Sequence, residues 1–173
     1  MSLLAHFKAV TTFIFDMDGV LTDGTLLILD DGQFLRRMNI KDGYALQLAV
    51  KKGYRIAVIS GSTSDPAVIR LGKLGITDVF MGVKNKTEVF NQYLADHDIK
   101  AAEVLYMGDD IPDLAVMKLA GMPCAPADAV TEVRQAARFI SSSPGGMGCV
   151  RDVIERVMKL NDQWDLHTDV ASK

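Results

Sequence analysis

The chain has 173 residues, enough for one domain with a substantial core. Hydrophobic residues make up 49% and the formal net charge is -3, which excludes a disordered or fibrous chain and argues against generic binding to nucleic acid or an acidic membrane. No apolar run approaches a membrane span, the N-terminus lacks a signal-peptide pattern, and Cys124 and Cys149 suggest buried thiols rather than a disulfide framework, so a soluble cytoplasmic protein is expected.

The first predicted strand covers 11–16 and runs into Asp16-Met17-Asp18-Gly19. A β-hairpin follows over about 25–38, with Asp30-Asp31-Gly32 as its turn. Its outer face carries Leu26, Ile28 and Phe34, which suggests a partner surface unless the ribbon folds back on its own domain. Asp42 caps a helix over 43–52, which Gly53 stops. A second sheet strand over 54–60 ends in Ser60-Gly61-Ser62. Asp65 and Pro66 open a helix to residue 73, and a strand over 78–81 follows. Asn85 caps a helix from Lys86 to about residue 96. The strand over 103–107 ends in Gly108-Asp109-Asp110, with Asp113 close behind. Pro112 starts a helix that Gly121 closes, and short strands are expected over 122–125 and 138–140. The tail, about 144–173, begins with Gly145, Gly146 and Gly148 and a helix opening with Arg151.

Continuous apolar strands alternating with helices predict an α/β fold: a Rossmann-like parallel sheet with helices on both faces, an inserted hairpin, and one domain over 1–173. In such sheets ligands gather at the carboxyl ends of the strands. Here those ends carry Asp16 and Asp18, Ser60, and Asp109, Asp110 and Asp113, with Lys86 near the third strand. Converging carboxylates repel one another unless a hard divalent cation sits among them, and magnesium suits such an oxygen site. A serine, a lysine and backbone N–H groups supply the complementary half, a cradle for phosphoryl oxygens. Together they indicate phosphoryl transfer through an aspartyl phosphate. Asp16 must stay ionised to attack while Asp18 must be protonated when the leaving group departs, so the two need separate environments.

The order DxD, Ser, Lys, GDDxxD resembles the haloacid dehalogenase superfamily of phosphatases over residues 13 to about 160. The resemblance implies Asp16 as nucleophile and Asp18 as acid/base, with the Asp18 main-chain carbonyl also on the metal. It implies Ser60 on the phosphoryl group, Lys86 as charge balance, and Mg²⁺ on Asp16, Asp18 and Asp109, supported by Asp110 or Asp113. Lys84 lies close to the same place, but Lys86 fits the family position because it opens the helix. Too few residues separate the motifs for a large cap domain, so the chain resembles a capless member that needs a neighbouring subunit to exclude water.

DGVLTDG, the hairpin, IKDGYAL, GDDIPD and GGMGCVRDVIE give a narrower resemblance, to the 3-deoxy-D-manno-octulosonate 8-phosphate phosphatases. That family implies a homotetramer built through the hairpins, a sugar-acid phosphate substrate, and a role in making lipopolysaccharide. Gly61, Ser62, Asp42, Gly43 and Arg151 are the candidate substrate-binding residues. The glycine-rich tail is compatible with a closing lid and Arg151 with an anion site, although a plain loop and a solvated arginine fit the sequence as well. Asp42 also serves as a simple helix cap. Family members often carry a basic residue where Ser62 stands, which leaves a nine-carbon sugar acid 9-phosphate as the alternative. From other classes, a receiver-like signalling module needs an aspartate after the third strand, where Phe80-Met81-Gly82-Val83 has none. A non-catalytic module is disfavoured by the intact acidic set.

Overall fold

The computed structural model describes residues 2–166 and 170; the rest of the expected tail, 167–169 and 171–173, and residue 1 lie outside the described residues. In chain order the helices are α1 (Leu3–Lys8), α2 (Ile40–Lys51), α3 (Asp65–Lys73), α4 (Lys86–Asp96), α5 (Leu114–Met117), α6 (Thr131–Ala136) and α7 (Cys149–Leu160). The strands are β1 (Thr12–Phe15), β2 (Leu27–Ile28), β3 (Phe34–Leu35), β4 (Arg55–Ile59), β5 (Asp78–Phe80), β6 (Val104–Met107), β7 (Met122–Ala125) and β8 (Phe139–Ile140). Six strands form one sheet in the order β5-β4-β1-β6-β7-β8, every neighbouring pair parallel.

β1 is buried along its whole length because both faces of the sheet are covered. Phe13 and Phe15 point into a core shared with α1, α2, α3 and α7, while Ile14 points into the opposite core with α4, α5 and α6. The chain winds from β1 outward through β4 to β5, then returns to β6 on the other side of β1. That reversal opens a crevice beyond the carboxyl ends of β1 and β6, the place where such sheets bind ligands.

β2 and β3 form the separate hairpin, with Leu27 opposite Leu35 and Ile28 opposite Phe34. It does not fold back: Ile28 is 66% exposed and Phe34 56%. Among the described residues, the hairpin and α2 are the only elements between β1 and β4 besides the turn Met17–Leu21, so no large cap is present there. No described helix is long and apolar enough to cross a membrane. Both cysteines are free and buried.

Several helix starts differ from expectation. α2 begins three residues early and is capped by Asn39, whose side chain accepts from Lys41 N, because Asn39 is extended and Asp42 is not. Ser64 rather than Asp65 caps α3. Pro112 lies in a single 3₁₀ turn, Ile111–Asp113, which leads into the short α5. α7 starts at Cys149, two residues before Arg151.

Candidate active site

β1 delivers Asp16 to the crevice and Asp16 N donates to Met107 O at 3.0 Å, which keeps it on the sheet beyond the last strand residue. The chain then turns tightly through Met17–Leu21. Gly19 has φ +92°, and a Cβ there would lie 2.0 Å from Asp109 Oδ2. Glycine is therefore required twice over, for the backbone angle and for the close approach of the Asp109 carboxylate. Gly108 makes room for Asp113 in the same way, since its Cβ would fall 2.3 Å from the Asp113 carboxyl carbon.

Lys86, at the start of α4, is 8% exposed and bridges two carboxylates: Nζ lies 2.8 Å from Asp16 Oδ1 and 2.7 Å from Asp113 Oδ1. Tyr106 OH donates to the same Asp113 oxygen at 2.6 Å, and the Asp109 and Asp110 amides donate to Asp113 Oδ2 at 3.1 and 3.3 Å. Asp113 is thus fully engaged and organises the loop. Ser60, buried at the end of β4, has its Oγ 3.1 Å from Ser62 Oγ. Ser62 Oγ donates to Asp18 Oδ2 at 2.7 Å.

These residues line one cleft of about 320 Å³: Asp16, Asp18, Ser60 and Lys86, then Gly61 and Ser62, then Asp109, Asp110 and Asp113. The structure therefore gathers the expected catalytic and metal candidates. Lys86, not Lys84, reaches Asp16. Asp110 is exposed at the cleft edge, and its carboxylate accepts from Ile111 N at 2.7 Å, capping its own turn.

Burial and the nearby Asp113 push the Asp16 carboxyl up to about 6, against the pull of Lys86. Asp109 rises further, to about 8, from burial and from Asp16 and Asp113. Burial opposes Asp18 as well, but hydrogen bonds from Arg36, Ser62 and Thr22 outweigh it and hold that carboxyl below its ordinary value. The two carboxylates do have separate environments. Their order is the reverse of the one expected, because burial and then the Asp113 carboxylate outweigh Lys86 at Asp16, whereas an arginine sits on Asp18.

Asp16, Asp109 and Asp113 each offer an oxygen within 4.8 Å of the others. Asp109 Oδ1 is buried with no hydrogen-bond partner. An orphaned oxygen in an all-carboxylate set fits a hard divalent ion.

Three candidate substrate residues are not in this cleft. Asp42 is 2% exposed and accepts the Arg151 amide at 2.7 Å, so it ties α2 to the first turn of α7. Burial, opposed by the Arg151 and Gly148 amides, raises its carboxyl to about 6. Gly43 faces Arg70: a Cβ would lie 2.9 Å from its Nη2. The Arg151 guanidinium sits over the rings of Tyr44 and Trp164, at 5.8 and 5.3 Å, and pairs with Glu155 at 3.1 Å.

The glycines of the tail are packed, not free. Gly146 N donates to Val20 O at 2.9 Å, and a Cβ on Gly145 would lie 2.0 Å from Gly19 O. The segment braces the loop that carries Asp18 instead of hanging over the cleft.

Arg36, Tyr106 and Thr22 were not legible as site residues. Arg36 leaves the hairpin and makes a bidentate pair with Asp18. The available signals were a hydroxyl inside the apolar run Val104–Met107 and a doubled arginine at the end of an otherwise apolar ribbon.

The haloacid dehalogenase-like hydrolase family model matches residues 72–151. The 3-deoxy-D-manno-octulosonate 8-phosphate phosphatase KdsC of Escherichia coli K12 is 31% identical over 163 residues, covering 94% of this chain and 87% of that one. The crystal structure of the Yersinia pestis phosphatase of the same name superposes with a TM-score of 0.91 at 28% identity, covering 93% of this chain and 87% of that one. That of Moraxella catarrhalis, in complex with magnesium ion, phosphate ion and KDO, gives 0.88 at 28% identity over 91% of each chain. With these likenesses spanning nearly its whole length, the chain belongs to the haloacid dehalogenase-like hydrolases, in the family of the 3-deoxy-D-manno-octulosonate 8-phosphate phosphatases.

Proposed function

We propose that this chain is a Mg²⁺-dependent phosphatase that hydrolyses 3-deoxy-D-manno-octulosonate 8-phosphate through an aspartyl phosphate on Asp16. The observation that carries the reading is the Lys86 ammonium held between Asp16 and Asp113 in a cleft shared with Ser60 and Asp109.

Asp16, Asp109 and the main-chain carbonyl of Asp18 would hold Mg²⁺, while Asp113, its oxygens already taken, orients Lys86 and the loop. The bound cation supplies charge neutralisation that lets Asp16 stay ionised. The phosphate seats with Lys86 and Ser60 on its oxygens. An Asp16 oxygen forms its bond to phosphorus as the bond to the sugar's terminal oxygen breaks, and Asp18 gives that oxygen a proton. Water then attacks phosphorus, Asp18 takes its proton, and the Asp16 carboxylate is restored with release of phosphate.

One catalytic domain carries these steps, and the exposed apolar hairpin is the contact surface of a homotetramer in the cytoplasm, where neighbours shield the open cleft. Ser62 lies in the cleft wall, where the related phosphatases often carry a basic residue, and this departure leaves a nine-carbon sugar acid 9-phosphate as the second reading.

Phosphate release in Mg²⁺ across a panel of sugar phosphates tests the proposal. Preference for the octulosonate ester supports it, and preference for the nine-carbon ester moves the chain to the second reading. Release from no ester, with acetyl phosphate merely captured, would leave a receiver-like or non-catalytic module.

A further inference from the structure

Arg36 stands just beyond β3, on a ribbon whose apolar side chains face solvent, yet its own side chain is 9% exposed. It is drawn inward to Asp18, where Nε donates to Oδ1 at 2.7 Å and Nη2 to Oδ2 at 3.1 Å. Ser62 Oγ at 2.7 Å and Thr22 Oγ1 at 3.3 Å complete the set. Every hydrogen bond to the Asp18 carboxylate is one that it accepts. In this arrangement both Asp18 oxygens are already engaged, by the hairpin and by the end of β4, and neither is free for a leaving oxygen.

Two constraints meet here. Asp18 must turn from Arg36 to serve the reaction. Arg36, mostly buried, cannot be left without an anion except at a large cost. Both are satisfied if the substrate brings a carboxylate of its own. A sugar acid phosphorylated at the far end of its chain has one, and the guanidinium fork is already shaped to a carboxylate. Two neighbouring cations already have partners: Lys86 holds Asp16 and Asp113, and Arg37 holds Asp23.

We propose that Arg36 is the specificity residue for the substrate's carboxylate, which takes over the fork from Asp18 as the phosphate end seats at Lys86 and Ser60. The proposal rests on the sugar-acid reading above and deepens it. One forked ion pair replaces another, so a sugar acid can release Asp18 without stranding Arg36. A neutral sugar phosphate offers no replacement. Ser62 is consistent with this division of labour, since the charge comes from the hairpin and not from the end of β4.

The test compares kcat/KM on 3-deoxy-octulosonate 8-phosphate with kcat/KM on the 3-deoxy-octulose 8-phosphate whose carboxylate is replaced by a hydroxymethyl group. Wild type, Arg36→Met and Arg36→Lys are measured as full-length protein in Mg²⁺. The acid-to-neutral ratio is expected to fall about 10- to 100-fold in Arg36→Met, chiefly through KM for the acid, and about tenfold in Arg36→Lys, which keeps the charge but not the fork. If Arg36→Met fails to fold, the lysine variant decides alone. Parallel losses on both esters, with the ratio unchanged, overturn the proposal and leave Arg36 as a support for Asp18. A wild-type ratio near one, or turnover of p-nitrophenyl phosphate but of neither sugar ester, overturns the sugar-acid reading itself and the proposal with it.

Discussion

Replacing Asp16 with asparagine is expected to make the cation-free protein more stable while abolishing turnover. Asp16 is 7% exposed, and its carboxyl sits at about 6 against an ordinary value of 3.8. A carboxyl raised in the folded state favours folding only when protonated. Its ionised form costs stability above pH 6, and that cost fades as pH falls toward 3.8. At pH 8 the displacement corresponds to about 3 kcal/mol, and at pH 4.5 about 1 kcal/mol of it remains. Asparagine keeps the shape and removes the charge. In EDTA at pH 8 the variant should therefore melt roughly 6–12 °C above wild type, with a gap about a third as large at pH 4.5. Saturating Mg²⁺ should close the gap, because the wild type gains more from the cation than the variant does. Thermal unfolding followed by circular dichroism, with and without EDTA, reads all of this. An asparagine variant that melts below wild type in EDTA at pH 8 would refute the reasoning, since Lys86 would then contribute more than burial and Asp113 cost.

Three further outcomes are expected. Lys86→Met leaves Asp16 and Asp113 buried without their shared cation; it should cost about 3–5 kcal/mol in chemical denaturation and eliminate phosphate release even in excess Mg²⁺. Gly145→Ala forces a methyl group onto Gly19 O, at about 1–3 kcal/mol of strain, and shifts the loop that carries Asp18. Turnover of the sugar-acid ester and of p-nitrophenyl phosphate should fall alike, whereas loss of the sugar ester alone would mean that the segment touches substrate. Ile28→Asp together with Phe34→Asp places two charges on the exposed ribbon and should reduce the sedimenting species to a smaller assembly; an unchanged sedimentation coefficient would put the subunit contact elsewhere.

The strands were legible because each is a short apolar run covered on both faces, and the residues at their carboxyl ends inherit their place from the sheet. Asp16, Ser60 and Asp109 are found together for that reason alone. Local capping was less legible. Asp42 looks like a helix cap in sequence, but Asn39 takes that place and Asp42 receives an amide 109 positions away. Arg151 looks like a free cation near a glycine loop, and its stacking partners Tyr44 and Trp164 come from α2 and the residues after α7. Gly145 and Gly146 read as freedom of movement, yet they are small because two backbones touch there. A contact made across the fold leaves no local pattern; only the topology brings its partners together.

The paired aspartates differ through the same long-range effect. Asp16 continues a buried strand and meets two more carboxylates from the loop after β6, so burial first and then its neighbours disfavour its charge in the protein alone. Asp18, one turn of the loop further on, points outward to a residue carried by the hairpin. The sheet therefore prepares Asp16 for a cation, and the hairpin prepares Asp18 for an arginine. For the roles proposed above, each carboxylate would need something to enter the cleft. The orphaned oxygen of Asp109 marks the place for one incoming group. On the mechanism proposed above, the Arg36 fork, now occupied by Asp18, would be the place for the other.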